Sequence, residues 1–164
     1  MKHLFYVIIL IGLISCNKNV VFSEYKSIPE DKGWAVNNKI SLEAELMDTI
    51  SKHDVYINIR HADLYPYRNL FLYLHTKYPN GVLKTDTLEC LLADEKGNWL
   101  GSGAGELWDH SIPFKRNTRF PMSGKYTFTF EQAMRYGDQP AIDPLPFVLD
   151  IGLTIEKSEI KEGK

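Results

Sequence analysis

The sequence predicts an all-β domain, because apolar and polar residues alternate in short segments and helix signals are scarce. Residues 40–46 alternate strictly, and Val55, Ile57 and Ile59 repeat the pattern. A period of two puts one face of a strand in the interior and the other in water. Polar loops such as 94–98 separate these segments and favour antiparallel hairpins. We expect a single two-layer antiparallel β-sandwich with jelly-roll or immunoglobulin-like connections.

Later segments continue this pattern with one exception. Residues 70–74 are largely apolar on both faces, as expected of a strand near the middle of a sheet, and residues 126–130 and 147–155 alternate. The exception is the segment 130–136, whose Glu-Gln-Ala-Met core favours one short helical turn before Gly137 ends it.

The N-terminus has the features of an export signal. Lys2 precedes an unbroken apolar run over residues 4–14, and Ser15 precedes Cys16. A transmembrane helix needs about 20 apolar residues, so this shorter run predicts a cleavable signal peptide. Residues 13–16 (Leu-Ile-Ser-Cys) resemble the lipobox of bacterial lipoproteins, in which the cysteine thiol receives lipid and becomes the first residue after cleavage.

These features divide the chain into four parts. We expect a lipoprotein signal peptide over residues 1–15, a lipidated tether over 16–19, a β-sandwich domain over 20–157 and a charged tail over 158–164. Acyl chains on Cys16, palmitate among them, would hold the domain to a lipid bilayer, since two or three chains make attachment stable. Cys90 would then be the one remaining thiol, so the domain must be stable through its core alone.

Composition and motifs exclude several classes of function. The formal net charge is −2, which does not favour a nucleic-acid partner. The glycine-rich segment 101–105 does not open a predicted helix, so a hairpin connection is favoured over a phosphate loop. Cys90 lies in a predicted strand, where a small buried thiol is the usual explanation.

Metal binding and catalysis have little support. His61 and Asp63 are two apart on one predicted strand face, Asp109 and His110 lie in a predicted loop, and no close-spaced histidine pair occurs. A hydrolase using Glu106 and Asp109 is the most distant of three interpretations, because the sequence does not bring two carboxylates together. We expect no catalytic residue, no metal and no cofactor.

Aromatic residues at loops are the best candidates for recognition. Tyr65, Tyr67 and Arg68 lie in one predicted loop, and Trp99 and Trp108 lie in or beside others. Flat rings at loop ends bind sugars or partner proteins in many sandwich domains. The alternative is that a tryptophan beside a strand closes the end of the core. We take these five residues as candidate contacts with a partner protein or a glycan.

Several short strings occur in an order that resembles a known family. After Cys16 the strings are 21–26 (Val-Phe-Ser-Glu-Tyr-Lys), 57–61 (Ile-Asn-Ile-Arg-His), 65–72 (Tyr-Pro-Tyr-Arg-Asn-Leu-Phe-Leu), 86–90 (Asp-Thr-Leu-Glu-Cys), 97–101 (Gly-Asn-Trp-Leu-Gly), 131–135 (Glu-Gln-Ala-Met-Arg) and 148–152 (Val-Leu-Asp-Ile-Gly). Their order and spacing resemble the gliding-motility lipoprotein H family (GldH) of Bacteroidetes over nearly the whole exported chain.

The resemblance implies a noncatalytic, anchored component of the envelope machinery for gliding motility and the linked type IX secretion apparatus. Such a component acts by docking to other envelope proteins. Residues 17–20 (Asn-Lys-Asn-Val) lack the acidic cluster that resembles a surface-export signal in this phylum. We therefore expect attachment to the outer membrane, facing the periplasm. The rival interpretation is a carbohydrate-binding module of the cell envelope that uses the same aromatic residues.

Overall fold

The computed structural model describes residues 19–159, which form nine strands and no helix. The strands are β1 (Val20–Ser27), β2 (Ile40–Leu46), β3 (His53–Ala62), β4 (Asn69–Lys77), β5 (Leu83–Leu91), β6 (Ser102–Ala104), β7 (Leu107–Thr118), β8 (Gly124–Gln132) and β9 (Val148–Lys157). The predicted signal peptide and Cys16 lie outside the described residues, as do the last five residues of the predicted tail.

The strands form two antiparallel sheets that pack against each other. One sheet has the order β1-β9-β3-β7-β6 and the other β2-β8-β4-β5. Apart from the short edge strand β6, this order is that of a jelly roll, in which the chain passes repeatedly from one sheet to the other. The predicted two-layer sandwich is confirmed, and its connections are jelly-roll rather than immunoglobulin-like.

The core lies between the sheets and follows the alternation seen in the sequence. In β2, residues 40, 42, 44 and 46 are buried and those between them are exposed. Trp34 closes one end of the core: its side chain is fully buried, its backbone pairs with Leu145, and its indole N–H donates to the carbonyl of Asn38 at 2.9 Å. For this tryptophan, core closure rather than recognition is the observed role.

The predicted helical turn over residues 130–136 is wrong. Strand β8 continues through Gln132, and Met134, two residues further, is also buried. The N–H of Ala133 donates to the carbonyl of Phe71 at 2.8 Å, which extends the pairing with β4. Burial at every second residue and the neighbouring strand therefore override the local helix propensity of this segment.

The antiparallel register gives the sandwich two distinct ends. Strand β3 pairs with Lys157 where it begins and with Leu107 where it ends, and its ten residues span about 30 Å. We call the end formed by Asn19 and loops 47–52, 78–82 and 119–123 the proximal end. The distal end is formed by loops 63–68, 92–101 and 133–147.

Candidate functional site

Five aromatic rings meet at the distal end, and we call them the aromatic cluster. The ring of His61 lies 4.4 Å from Trp99 and 5.3 Å from Tyr65 between centroids. Tyr67 packs on Tyr65 edge-on at 5.6 Å, and Trp108 lies 6.5 Å from Trp99. The fold thus brings together four of the five residues that the sequence singled out for recognition.

Asp63 fixes both tryptophans of the cluster. The indole N–H groups of Trp99 and Trp108 donate to the same carboxylate oxygen, Oδ1, at 2.8 and 2.9 Å. Asp63 follows the last residue of β3, and its own N–H donates to the carbonyl of Glu106 at 2.7 Å. Hydrogen bonds to a charged acceptor are stronger than neutral ones, so one exposed carboxylate sets the orientation of two large rings.

The glycine-rich segment lets the chain pass close to these rings. A Cβ atom at Gly103 would lie 2.5 Å from Cε3 of Trp108, and one at Gly101 would lie 2.8 Å from Nε2 of His110. Residues 102–104 form β6, which pairs with the first residues of β7. The glycines therefore serve close packing of a hairpin, as expected, and not a loop that opens a helix.

A pair of buried histidines lies beneath the cluster. Nδ1 of His61 is 2.8 Å from the carbonyl of Ala62, and Nε2 of His61 is 3.0 Å from Nε2 of His110. A carbonyl oxygen only accepts, so Nδ1 of His61 carries its proton and Nε2 of His110 donates to His61. Both side chains are buried. The sequence predicts a loop at Asp109 and His110, but both residues lie within β7.

Burial keeps this histidine pair neutral. Desolvation lowers the pKa of His61. Desolvation, with the neighbouring His61 second, lowers the pKa of His110 to about 4. The nearby carboxylates of Asp63 and Asp109 act in the opposite direction without reversing the shift. Two histidines alone do not make a metal centre, and no group of three or more metal-ligating side chains converges within residues 19–159.

The candidate contact residues differ in their access to solvent. Tyr65 is buried, and its hydroxyl donates to the carbonyl of Asn69 at 2.9 Å. It supports the cluster from inside, which corrects its assignment as a surface contact. Tyr67, Trp99 and Trp108 are half-buried, and Arg68 is exposed. These four remain able to touch a partner.

The two carboxylates considered for catalysis, Glu106 and Asp109, have different surroundings. Asp109 accepts two hydrogen bonds from Arg60, at 2.7 and 3.1 Å, in a bidentate ion pair. This contact with Asp109 also raises the pKa of Arg60. Glu106 lies in the exposed turn before β7. Asp63, expected on the strand face of His61, lies instead in the turn beyond the end of β3.

Exposed leucines accompany the cluster at the distal end. Each lies beside a residue already described: Leu64 after Asp63, Leu100 after Trp99, Leu107 before Trp108, and Leu91 paired with Asn69. Their exposed fractions run from 45% to 71%. Sequence analysis missed them because a leucine beside a strand is ordinarily assigned to the core. Exposed leucines near half-buried tryptophans add apolar surface to the end of the domain where the aromatic cluster lies.

The fold and this site define a jelly-roll domain with an aromatic, apolar surface at one end. Residues 19–159 contain no helix that is long and apolar enough to cross a membrane. The family model of the GldH lipoprotein matches residues 20–155, and the chain belongs to this family. The resemblance drawn from the sequence strings is therefore confirmed. Membership in a lipoprotein family implies attachment to a membrane through lipid.

Two relatives match along nearly their whole length. The protein called gliding motility lipoprotein GldH homolog, from Christiangramia forsetii, is 38% identical over 164 residues, covering 97% of this chain and 99% of that protein. The gliding motility lipoprotein GldH of Flavobacterium johnsoniae is 32% identical over 148 residues, covering 90% of this chain and 91% of that protein.

Replacing Asp63 tests whether one carboxylate orders both tryptophans. Asp63→Ala removes the shared acceptor, so tryptophan emission should shift to longer wavelength and unfolding free energy should fall by about 1–2 kcal/mol. Asp63→Asn keeps an oxygen acceptor at Oδ1 and should retain the wild-type emission. Fluorescence spectra and urea titrations measure both effects. An unchanged emission maximum in Asp63→Ala would contradict the assigned role.

The buried histidine pair predicts a pH dependence of stability. The unfolded chain takes up protons near the ordinary histidine pKa of about 6.5, whereas the folded pair stays neutral to lower pH. The free energy of unfolding is therefore expected to fall as pH drops from about 6.5 to 4, and His110→Gln should reduce this fall by about 1–3 kcal/mol. Urea unfolding at pH 7, 5.5 and 4.5 measures how the free energy of unfolding depends on pH in wild type and in His110→Gln. The same dependence on pH in both proteins would refute this prediction.

Proposed function

We propose that this chain is a noncatalytic envelope lipoprotein that docks to proteins of the gliding machinery through its distal end. The observation that carries the proposal is the pair Trp99 and Trp108, half-buried, fixed by Asp63 and accompanied by exposed leucines. Tryptophan is enriched among residues that dominate binding energy. Rings already held in place lose little conformational freedom on binding, which favours affinity.

The character of the surface supports a protein partner over a glycan. A sugar site needs polar groups that satisfy ring hydroxyls, but both indole N–H groups are already bonded to Asp63. The neighbouring side chains Leu64, Leu100 and Leu107 are apolar. An apolar patch with tryptophans and one exposed arginine, Arg68, matches the composition of protein interfaces.

A noncatalytic role is supported by the condition of the side chains that chemistry would use. Burial raises the pKa of the Cys90 thiol to about 12, with Glu89 adding to the shift. The thiolate is the nucleophilic form of cysteine, so this thiol is unreactive near neutral pH. Asp109 is engaged by Arg60.

The anchor in this proposal is Cys16. After cleavage behind Ser15, acylation of Cys16 would leave three residues between the lipid and the first strand at Val20. The family description and the names of both relatives include the word lipoprotein. We place the domain on the outer membrane, facing the periplasm, because Asn17, Lys18 and Asn19 are not acidic. A link to type IX secretion belongs to the same proposal and rests on the sequence resemblance.

Metabolic labelling tests the anchor with a matched control inside the chain. Cells given an alkyne-tagged palmitate should label the wild-type protein and Cys90→Ser, because Cys90 is buried and takes no part in acylation. Cys16→Ser should stay unlabelled, since it lacks the acceptor thiol. Tag-specific fluorescence on a gel measures incorporation. Label on Cys16→Ser would overturn the assignment of the lipid site.

A double substitution tests docking. Trp99→Ala combined with Trp108→Ala should reduce recovery of cross-linked envelope proteins at least ten-fold, because losing about 1.4 kcal/mol or more lowers affinity by that factor. Tyr25→Ala, which removes a half-exposed ring from the edge strand β1, should leave recovery unchanged. Quantitative mass spectrometry of the purified complexes provides the readout.

Two results would contradict the docking proposal. Equal recovery with the double variant and with wild type would show that the tryptophans do not bind the partner. Titration with envelope glycans should leave the emission of Trp99 and Trp108 unchanged, and a saturable response lost in the double variant would favour the carbohydrate-binding alternative.

A further inference from the structure

The proximal end exposes apolar side chains that the fold does not use. Ile50 is 81% exposed, Met47 68% and Leu83 62%, and Val82, which precedes Leu83, is also exposed. Met47 and Ile50 belong to loop 47–52, Val82 ends the connection between β4 and β5, and Leu83 is the first residue of β5. Side chains of this size exposed together at one end mark a surface that meets another apolar phase or partner.

These side chains are distributed across the whole proximal end. Met47 follows β2 and Leu83 opens β5, and these are the two edge strands of the four-stranded sheet. Their strands are three spacings of about 4.8 Å apart, or about 14 Å across the sheet. The two exposed residues therefore lie at opposite sides of this sheet near its proximal end, and they do not form a narrow slot for a single peptide.

The position of the N-terminus identifies what lies beyond. Asn19 lines an open groove of about 1140 Å³ at the proximal end, and Ile50 lines the same groove. Three residue steps separate Cys16 from Asn19, and an extended chain covers at most about 3.6 Å per step, or about 11 Å in all. An acylated Cys16 thus keeps this end of the domain within about 11 Å of the membrane surface.

Cations of the groove fit a lipid surface. Lys52, Arg116 and Arg119 line it, and none of them forms an ion pair with another side chain in the described part of the chain. Three carboxylates also line the groove: Asp54, Glu156 and Glu159. Asp54 accepts hydrogen bonds from the N–H of Asn117 and from the hydroxyl of Ser158. Long cationic side chains beside apolar residues are typical of membrane interfaces, where their heads reach lipid phosphates.

We propose that the proximal end rests on the bilayer itself, with Met47 and Ile50 in the interfacial layer and Lys52, Arg116 and Arg119 against lipid phosphates. This inference depends on the proposed acylation of Cys16 and adds a second membrane contact to it. The second contact limits how far the domain tilts on its tether. It holds the aromatic cluster about one strand length, about 30 Å, from the lipid surface.

Depth-dependent fluorescence quenching tests this contact. Full-length lipidated protein carrying Ile50→Cys is labelled with an environment-sensitive fluorophore and reconstituted in vesicles of phosphatidylethanolamine and phosphatidylglycerol with nitroxide-labelled lipid. The control is Leu64→Cys, which is 71% exposed at the distal end. Cys90 should remain unlabelled because it is buried and its pKa is raised to about 12.

Quenching at position 50 is expected to exceed quenching at position 64 at least five-fold. Lys52→Gln and Arg116→Gln each remove one positive charge. Each substitution should lower the ratio of molecules whose proximal end contacts the bilayer to molecules whose proximal end does not by about five-fold, since each cation near an anionic surface contributes about 1 kcal/mol. Equal quenching at the two positions on vesicle-bound protein would overturn the inference while leaving acylation intact.

Two further outcomes separate the inference from the function on which it rests. Protein that never enters the vesicle fraction would overturn acylation and this contact together. Shielding of position 50 that occurs only after envelope proteins are added, without lipid quenching, would assign the proximal end to a protein partner and overturn the bilayer contact.

Discussion

Pairing of β3 with both β7 and β9 is the constraint on which the rest of the structure depends. Its register places His61 opposite Trp108 and His53 opposite Lys157. A shift of one residue would turn every side chain of β3 to the other face, taking Ile57 and His61 out of the core. The same register fixes the point where β3 ends, and Asp63 binds the two indole groups from the turn that follows.

Much of the fold could be predicted from local alternation, whereas features that depend on distant partners could not. Strict alternation in β2 revealed the strand because one face of it meets the core and the other meets water. Strand β7 gave a weaker signal, since it contains Pro113 and pairs with β3 through an irregular register. As a result, the sequence predicts a loop at Asp109 and His110. Composition predicts a helical turn over residues 130–136, but the pairing of this segment with β4 makes it an extended strand.

The candidate site was predictable in its residue types but not in its geometry. Aromatic residues beside loops indicate recognition. All five residues named lie at the distal end, and four of them are rings of the aromatic cluster. Tyr65 turns inward because the carbonyl of Asn69 accepts its hydroxyl, a contact that no sequence pattern contains. The role of Asp63 is likewise not visible in the sequence, since the two tryptophans it binds lie 36 and 45 residues further along the chain, one in a loop and one in β7. Sequence identifies candidate rings, and tertiary contacts decide which of them face solvent.

Together these features describe a domain with unlike ends. The proximal end carries the proposed tether, exposed aliphatic residues and the cations Lys52, Arg116 and Arg119, while the distal end has ordered tryptophans and exposed leucines. Site-specific photo-cross-linking in living cells, with a benzophenone amino acid in place of Leu100, tests the central claim most directly. The account predicts a discrete covalent adduct with an envelope protein of defined mass. Adducts with lipid alone, or no adduct while the protein is folded and membrane-bound, would contradict it.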